Sequence, residues 1–311
     1  MRIVFLGTPE FAVPTLEGLV SAGHDVAGVF TQPDRPKGRG NRLTETPVKR
    51  AALQFGIPVY QPERIRRPEA VEQLQKLGAE VMVVVGYGQI IPQSIIDLPP
   101  NGILNVHASL LPKYRGAAPI QWAIANGERE TGVTIMQIDA GLDTGDMLLK
   151  QSVAIGPDET APELSARLAP LGAQLLLDAI REIEAGSIRR EKQNDAEASY
   201  APILKKEDGR IDWFAPAQKI YDRLRGFAPW PGAYTAFRGQ PLIVLRAKPV
   251  EDRDIPPGVL KAEQRRLFAG CGETNALELL EVQPAGKRGM SADAFLNGYK
   301  IASGERLEQP S

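Results

Sequence analysis

The runs Val81-Met82-Val83-Val84-Val85 and Ile103-Leu104-Asn105-Val106-His107 decide the fold. A strand without polar alternation is buried on both faces, the environment of a parallel sheet covered by helices. Upstream, Ile3 to Leu6, Val26 to Phe30 and the region of Val59 read as further strands. Between them, Thr15 to Ser21, Pro47 to Phe55 and Glu69 to Leu77 have helical spacing and stop near Gly23, Gly56 and Gly78. Downstream come a helix at Pro119 to Ala125, a strand at Val133 to Ile138, and a long helical stretch from Asp158 to Glu184 ending at Gly186. Strand and helix alternate, so the spacing predicts an α/β fold with a doubly wound sheet.

Past Gly186 the texture changes. Arg189 to Ala201 is polar and reads as a linker. One helix, Pro216 to Gly226, is followed by short apolar runs at Tyr234–Phe237, Leu242–Leu245, Val259–Leu260, Leu267–Ala269 and Leu277–Val282. Gly and Pro separate them, the pattern of a small β-barrel or sandwich. Residues 1–189 are therefore expected as one domain, 190–207 as a linker and 208–311 as a second domain, in keeping with a length of 311 residues.

Composition narrows the chemistry. Lys and Arg total 37 against 38 Asp and Glu, which excludes nucleic-acid binding by bulk positive charge. The single cysteine, Cys271, excludes a disulfide framework and a cysteine-rich metal site. Only His24 and His107 can supply imidazole chemistry. His24 lies in a helix-to-strand turn and is expected to be exposed and idle. No apolar stretch reaches 18 residues, and Met1–Gly7 reads as a first strand rather than a secretory signal. A cytoplasmic monomer that does not engage a membrane is the expectation.

The turn Gly7-Thr8-Pro9-Glu10-Phe11-Ala12 stands where a dinucleotide fold carries its phosphate loop. The three-glycine fingerprint is absent, and Glu10 would repel a pyrophosphate, so a tight strand-to-helix turn is the better reading. Asn105 and His107 are the stronger signal. Residues i and i+2 of a strand share a face, so an amide and an imidazole stand side by side at a strand's carboxyl end. Ligand sites in such sheets are built at that edge. After the strand at 133–138 comes Asp139-Ala140-Gly141-Leu142-Asp143-Thr144-Gly145-Asp146. The run can be an Asp- and Gly-rich turn. Alternatively, Asp143 reaches His107 and orients it. The spacing does not match a calcium loop, and no metal is expected.

This set suits acyl transfer to an amine. Attack on a carbonyl creates an oxyanion, to which Asn105 and protonated His107 can donate. Asp143 can relay the proton leaving the amine. No activated serine or cysteine is evident, which favours direct transfer.

Here a resemblance becomes specific. The run Asn105-Val106-His107-Ala108-Ser109-Leu110-Leu111-Pro112-Lys113-Tyr114-Arg115-Gly116-Ala117-Ala118-Pro119, with Glu130–Thr134 and Gly141–Met147, resembles the 10-formyltetrahydrofolate-dependent formyltransferases. The segments Gly7–Phe11, Thr31–Arg35, Val83–Gly88 and Gln283–Lys287 extend the resemblance nearly end to end. One departure is Ala108, where many relatives carry Gly.

The resemblance implies a Rossmann-like folate-binding domain and an OB-like C-terminal domain that binds tRNA. It places the catalytic Asn, His and Asp on Asn105, His107 and Asp143. It implies that Ser109, Leu110, Leu111 and Pro112 contact the tetrahydrofolate, and that the loop bearing Tyr87, Gly88 and Ile90 lines the pteridine pocket. 10-Formyltetrahydrofolate is the implied one-carbon donor, and methionyl-initiator tRNA the implied acceptor. Residues 31–50 carry a net charge of +4. The resemblance implies that this loop, through Arg35, Lys37, Arg39 and Arg42, engages the tRNA backbone. Trp213, Trp230 and Phe237 either stack on RNA or belong to the core. The nearest alternative is the same chemistry on a nucleotide-linked amino sugar. A nucleotide-dependent oxidoreductase and a non-catalytic RNA-binding protein are the more distant ones.

Overall fold

The computed structural model describes residues 1–37, 42–251, 254–273 and 275–308. The first strands and helices follow the expected alternation. They are β1 (Arg2–Gly7), α1 (Val13–Ser21), β2 (Asp25–Phe30), a short ribbon of β3 (Arg35–Lys37) and β4 (Arg42–Thr44), and α2 (Pro47–Gln54). Next come β5 (Val59–Tyr60), α3 (Pro68–Leu77), β6 (Val81–Val85), α4 (Gln93–Ile96) and β7 (Ile103–His107). Local chemistry sets their ends. Thr46 caps α2, its hydroxyl accepting the Lys49 N–H at 3.1 Å, and Pro47 follows where a missing N–H costs nothing. Gly78 ends α3 in the left-handed conformation at φ 58°.

The chain continues through β8 (Arg115–Gly116), α5 (Pro119–Ala125), β9 (Glu130–Gln137), β10 (Met147–Ala154), α6 (Ala161–Glu184) and β11 (Tyr200–Ala201). The main sheet has the order β10-β9-β7-β6-β1-β2-β5. β7, β6, β1, β2 and β5 are parallel, giving the Rossmann-like core. β9 and β10 run antiparallel, so the doubly wound pattern stops at β7. The sequence does not announce β10, because a half-exposed edge strand lacks the apolar signature of a buried one. α6 starts at 161 rather than 158 because the Glu163 carboxylate accepts both the backbone N–H and the hydroxyl of Thr160, fixing the helix start there.

The remaining elements are α7 (Ala217–Gly226), β12 (Ala233–Phe237), β13 (Gln240–Val250), β14 (Leu260–Glu263), β15 (Arg266–Gly270), β16 (Ala276–Pro284), β17 (Met290–Ser291), α8 (Ala292–Gly298) and β18 (Leu307–Glu308). They form a curled antiparallel sheet, β14-β15-β16-β13-β12-β18. Its two edges meet, since Leu260 N–H donates to the Glu305 carbonyl and Leu307 N–H to that of Gly258, both at 2.8 Å. That is the barrel expected from the short apolar runs. Its core holds Trp213, whose indole N–H donates to Thr235 at 3.0 Å, and Phe237, packed edge-on to Phe295 and Tyr299. Trp230, by contrast, is exposed.

The chain divides into two compact units. The first comprises Met1–Pro119, Glu130–Ala154 and Leu164–Pro202; the second comprises Ile120–Arg129, Ile155–Glu163 and the chain from Ile203 onward. Segments 120–129 and 155–163, within the expected first domain, thus group with the second unit. The reason is their packing on α7. Trp122 meets Phe227 edge-on at 5.2 Å, and the buried Arg225 guanidinium donates to the Gly156 and Glu159 carbonyls and pairs with Asp222 at 2.8 Å. Residues 190–202, from the expected linker, group with the first unit. Among the described residues, no helix is long and apolar enough to cross a membrane.

Cys271 lies in the core of the second unit, and burial pushes its thiol up to about 12. Its thiolate fraction at pH 8 is then on the order of 10⁻⁴. The native protein is expected to give no colour with Ellman's reagent at pH 8, and one equivalent per chain once denatured. A full equivalent from native protein would contradict this placement.

Candidate active site

β7 is buried along its whole length, between β6 and β9. Asn105 lies opposite Val84 on one side and Met136 on the other, and His107 lies opposite Thr134. Period-2 alternation puts both polar side chains on one face at the strand's end. Both are nearly buried, so their hydrogen bonds define them.

The His107 ring is fixed at Nε2, which lies 2.9 Å from the Tyr114 carbonyl oxygen. A carbonyl oxygen only accepts, so Nε2 carries a proton. Nδ1 is therefore the position at which the ring gains or loses one. It faces Asp143 Oδ2 at 3.7 Å. The same oxygen accepts the Gly116 N–H at 2.8 Å, and Oδ1 accepts from Asn105 Nδ2 at 3.4 Å. The three residues singled out from the sequence thus converge, with Asp143 bridging the other two.

Two loops bring this about. In the first, residues 108–118, Thr134 is the hinge pin. Its buried hydroxyl donates to the Ser109 carbonyl at 2.7 Å and accepts the Leu111 N–H at 3.1 Å. The Ser109 hydroxyl donates to the Lys113 carbonyl at 2.6 Å, closing the turn. Leu111 packs against Met136 and Met147, and the Leu111–Pro112 bond is cis. Tyr114 takes a left-handed φ of 61°. Ala108 does not, so the alanine is accommodated without strain. In the second loop, Asp139 accepts the Gly141 N–H and the Thr144 hydroxyl, and Asp143 sits at φ 52°. Gly145 is required there, since a Cβ would lie 1.8 Å from the Gln137 carbonyl oxygen.

The Tyr87–Ile91 loop leaves the end of β6, next to β7. Tyr87 is buried, and its carbonyl accepts from Thr8 and Gln32. Thr8 thereby ties the Gly7–Ala12 turn to this loop, a structural role. The Tyr87 hydroxyl is buried without a hydrogen-bond partner, and burial raises its pKa well above that of a free phenol. Gly88 is exposed at φ 84°, and Ile90 is 92% exposed.

The basic ribbon places Lys37 opposite Arg42 in backbone register, with Arg35 exposed; Arg39 lies outside the described residues. Lys49 is not part of a free basic face, because it pairs with Asp34 at 2.5 Å and Glu45 at 3.3 Å. His24 is half-buried rather than exposed, with Nδ1 3.4 Å from the Met1 amino group; burial and that positive charge lower its pKa. Among the described residues, no three His, Cys, Asp or Glu side chains are gathered as metal ligands.

Sequence reasoning missed residues 191–201, read there as a linker. Glu191 pairs with Met147, Gln193 donates to the carbonyls of Asp143 and Gly145, the Ser199 hydroxyl accepts the Tyr114 N–H, and β11 pairs with β8. Its partners are mostly main-chain atoms, so no periodicity signals it.

Residues 1–180 match the model of the family described as formyl transferase, and residues 203–300 match the formyl transferase C-terminal domain. The chain belongs to the formyl transferase family. Relatives named methionyl-tRNA formyltransferase are 60% identical in Solibacter usitatus, over 99% of this chain and 98% of that protein. The corresponding protein of Koribacter versatilis is 56% identical, with the same coverage. A sugar 3N-formyl transferase solved with dTDP and 5-N-formyl-THF shares the fold, with a TM-score of 0.69 at 19% identity, covering 93% of this chain and 99% of that one. HypX from Aquifex aeolicus, solved with tetrahydrofolic acid, matches all of this chain and 49% of its own, with a TM-score of 0.65 at 18% identity.

Thr134→Val keeps the side chain's shape and strands the Leu111 N–H. It is expected to lower the unfolding free energy by roughly 1–3 kcal/mol in urea titration. An unchanged midpoint would remove Thr134 from its place as the loop's pin.

Proposed function

We propose that the protein transfers the formyl group of 10-formyltetrahydrofolate to the α-amino group of methionyl-initiator tRNA, yielding N-formylmethionyl-tRNA for translation initiation. The observation that carries this reading is 60% identity, over nearly the whole of both chains, to a methionyl-tRNA formyltransferase. The convergence of Asn105, His107 and Asp143 at the sheet edge supplies the chemistry.

10-Formyltetrahydrofolate supplies an activated formyl carbon, and attack by the amine turns its carbonyl oxygen into an oxyanion. Asn105 Nδ2–H and protonated His107 Nδ1–H are the donors for that oxyanion. Preorganised donors of this kind are worth more in a buried site than in water. With Nε2 tied to Tyr114, the ring cannot turn away. Asp143 takes the proton that leaves the amine; collapse of the oxyanion then breaks the bond between the formyl carbon and the folate nitrogen, which receives that proton as tetrahydrofolate leaves. For the donor, Ser109, Leu110, Leu111 and Pro112 form one wall. Tyr87, Gly88 and Ile90 form the other, where the exposed Ile90 side chain offers an apolar face to a flat heteroaromatic ring. Arg35, Lys37, Arg39 and Arg42 meet tRNA phosphates. The enzyme works as a cytoplasmic monomer.

With charged initiator tRNA and 10-formyltetrahydrofolate, the purified protein is expected to form N-formylmethionyl-tRNA. Turnover of a nucleotide-linked amino sugar, with none of the tRNA, would overturn the reading. His107→Ala is expected to lower kcat by about two orders of magnitude or more. Arg35→Ala is expected to raise KM for tRNA, leave KM for the folate unchanged, and reduce the salt slope of tRNA binding by about one. A salt slope equal to wild type would take Arg35 out of the tRNA contact.

A further inference from the structure

We propose that Gln193 is a positioning residue for this transfer: its amide nitrogen holds the loop that aims the Asp143 carboxylate at Asn105 and His107. The inference rests on the reading above.

Asp143 is an L-residue in the left-handed region, at φ 52°. That conformation is sparsely populated and persists only where its surroundings impose it. Gln193 Nε2 lies 2.8 Å from the Asp143 carbonyl oxygen and 2.8 Å from that of Gly145. An amide nitrogen has two hydrogens, and both are used. One side chain thus ties down the main chain on both sides of Thr144. The orientation of the amide is not arbitrary. Gln193 Oε1 accepts from Arg115 Nε at 2.9 Å, whereas the flipped amide would set an oxygen against two carbonyl oxygens and a nitrogen against a guanidinium.

Arg115 is itself held. Its guanidinium is buried and reaches Asp195 at 2.8 Å. Next in the chain, Gly116 donates its N–H to Asp143 Oδ2 at 2.8 Å. Gln193 therefore fixes the backbone that carries the carboxylate, while its partner Arg115 adjoins the amide that fixes the carboxylate itself. Ser199, on the same segment, accepts the N–H of Tyr114, whose carbonyl holds His107 Nε2. The hydrogen bonds of Gln193 go to the main chain of Asp143 and Gly145 and to Arg115, so it acts on the three residues through the loops that carry them.

Gln193→Glu separates positioning from packing. It keeps the size and the acceptor for Arg115, and it replaces a double donor by an oxygen facing two carbonyls. Its kcat is expected to fall about 10- to 100-fold, the scale of a displacement of about 1 Å at a reacting group. KM values for folate donor and tRNA should stay within about threefold, since ground-state binding is untouched. The chain has only two histidines, so its imidazole ¹⁵N spectrum is simple. With signals assigned through His24→Gln, Gln193→Glu should move the His107 ring nitrogens in the direction that Asp143→Asn moves them. Gln193→Met, which removes both donors without adding charge, should do the same if the glutamate variant fails to fold.

Wild-type kcat with unmoved His107 signals in a folded Gln193 variant would overturn the inference. So would a loss of kcat that parallels a fall in melting temperature while the His107 signals stay in place. Absence of tRNA formylation by the wild-type enzyme would instead overturn the functional reading, and the His107 spectrum would still decide the place of Gln193.

Discussion

The carboxylate of Asp143 is the constraint around which the site is arranged. It accepts from Asn105 and Gly116 and faces His107 Nδ1, so it meets an amide side chain, a main-chain amide and an imidazole at once. A carboxylate among three such neighbours has little freedom, yet its own backbone is in an unfavourable conformation. Asp139 and Gly145 shape the loop from within, and residues 191–201 clamp it from outside. Precision at the carboxylate is supported by hydrogen bonds that never reach it.

The sheet explains why these residues meet where they do. β7 is central and buried, so its end is rigid and its side chains take two directions only. The switch from parallel to antiparallel pairing between β7 and β9 matters as much. A parallel neighbour would direct its following loop to the same edge after a long crossover. Here β9 instead runs past β7 in the opposite sense, placing Thr134 beside His107 at its middle and the Asp139–Asp146 loop at its end. Thr134 can then pin the 108–118 loop while the same strand leads to Asp143.

How much of this was legible in the sequence depends on what each residue bonds to. Asn105 and His107 were readable because spacing, apolar neighbours and the position of a strand end are properties of the chain itself. Asp143 was readable as one carboxylate among three, and the family motif singled it out. Gln193 and Ser199 were not readable, because their partners are mostly main-chain carbonyls and amides of two irregular loops, and no side-chain pattern reports those. The grouping of segments 120–129 and 155–163 with the second unit escaped notice for a related reason. It depends on Arg225 finding two carbonyls and Trp122 finding Phe227, contacts far apart in sequence. β10 stayed hidden as an edge strand, and α8, whose Phe295 enters the barrel core, was too short to show a period.

The acceptor for His107 Nε2 is a peptide oxygen, and that has an evolutionary consequence. Where a second side chain sets a tautomer, one codon change can erase the arrangement or swap it for its opposite. Peptide oxygens are common to all twenty amino acids, so no replacement at position 114 deletes the acceptor. Only a change in backbone course can do so, through the neighbours that keep Tyr114 at φ 61° or through a residue such as proline that cannot adopt it. The protonation pattern of the ring is thus written into the path of the chain, and drift in side-chain identity can rework the pocket's walls while leaving it intact.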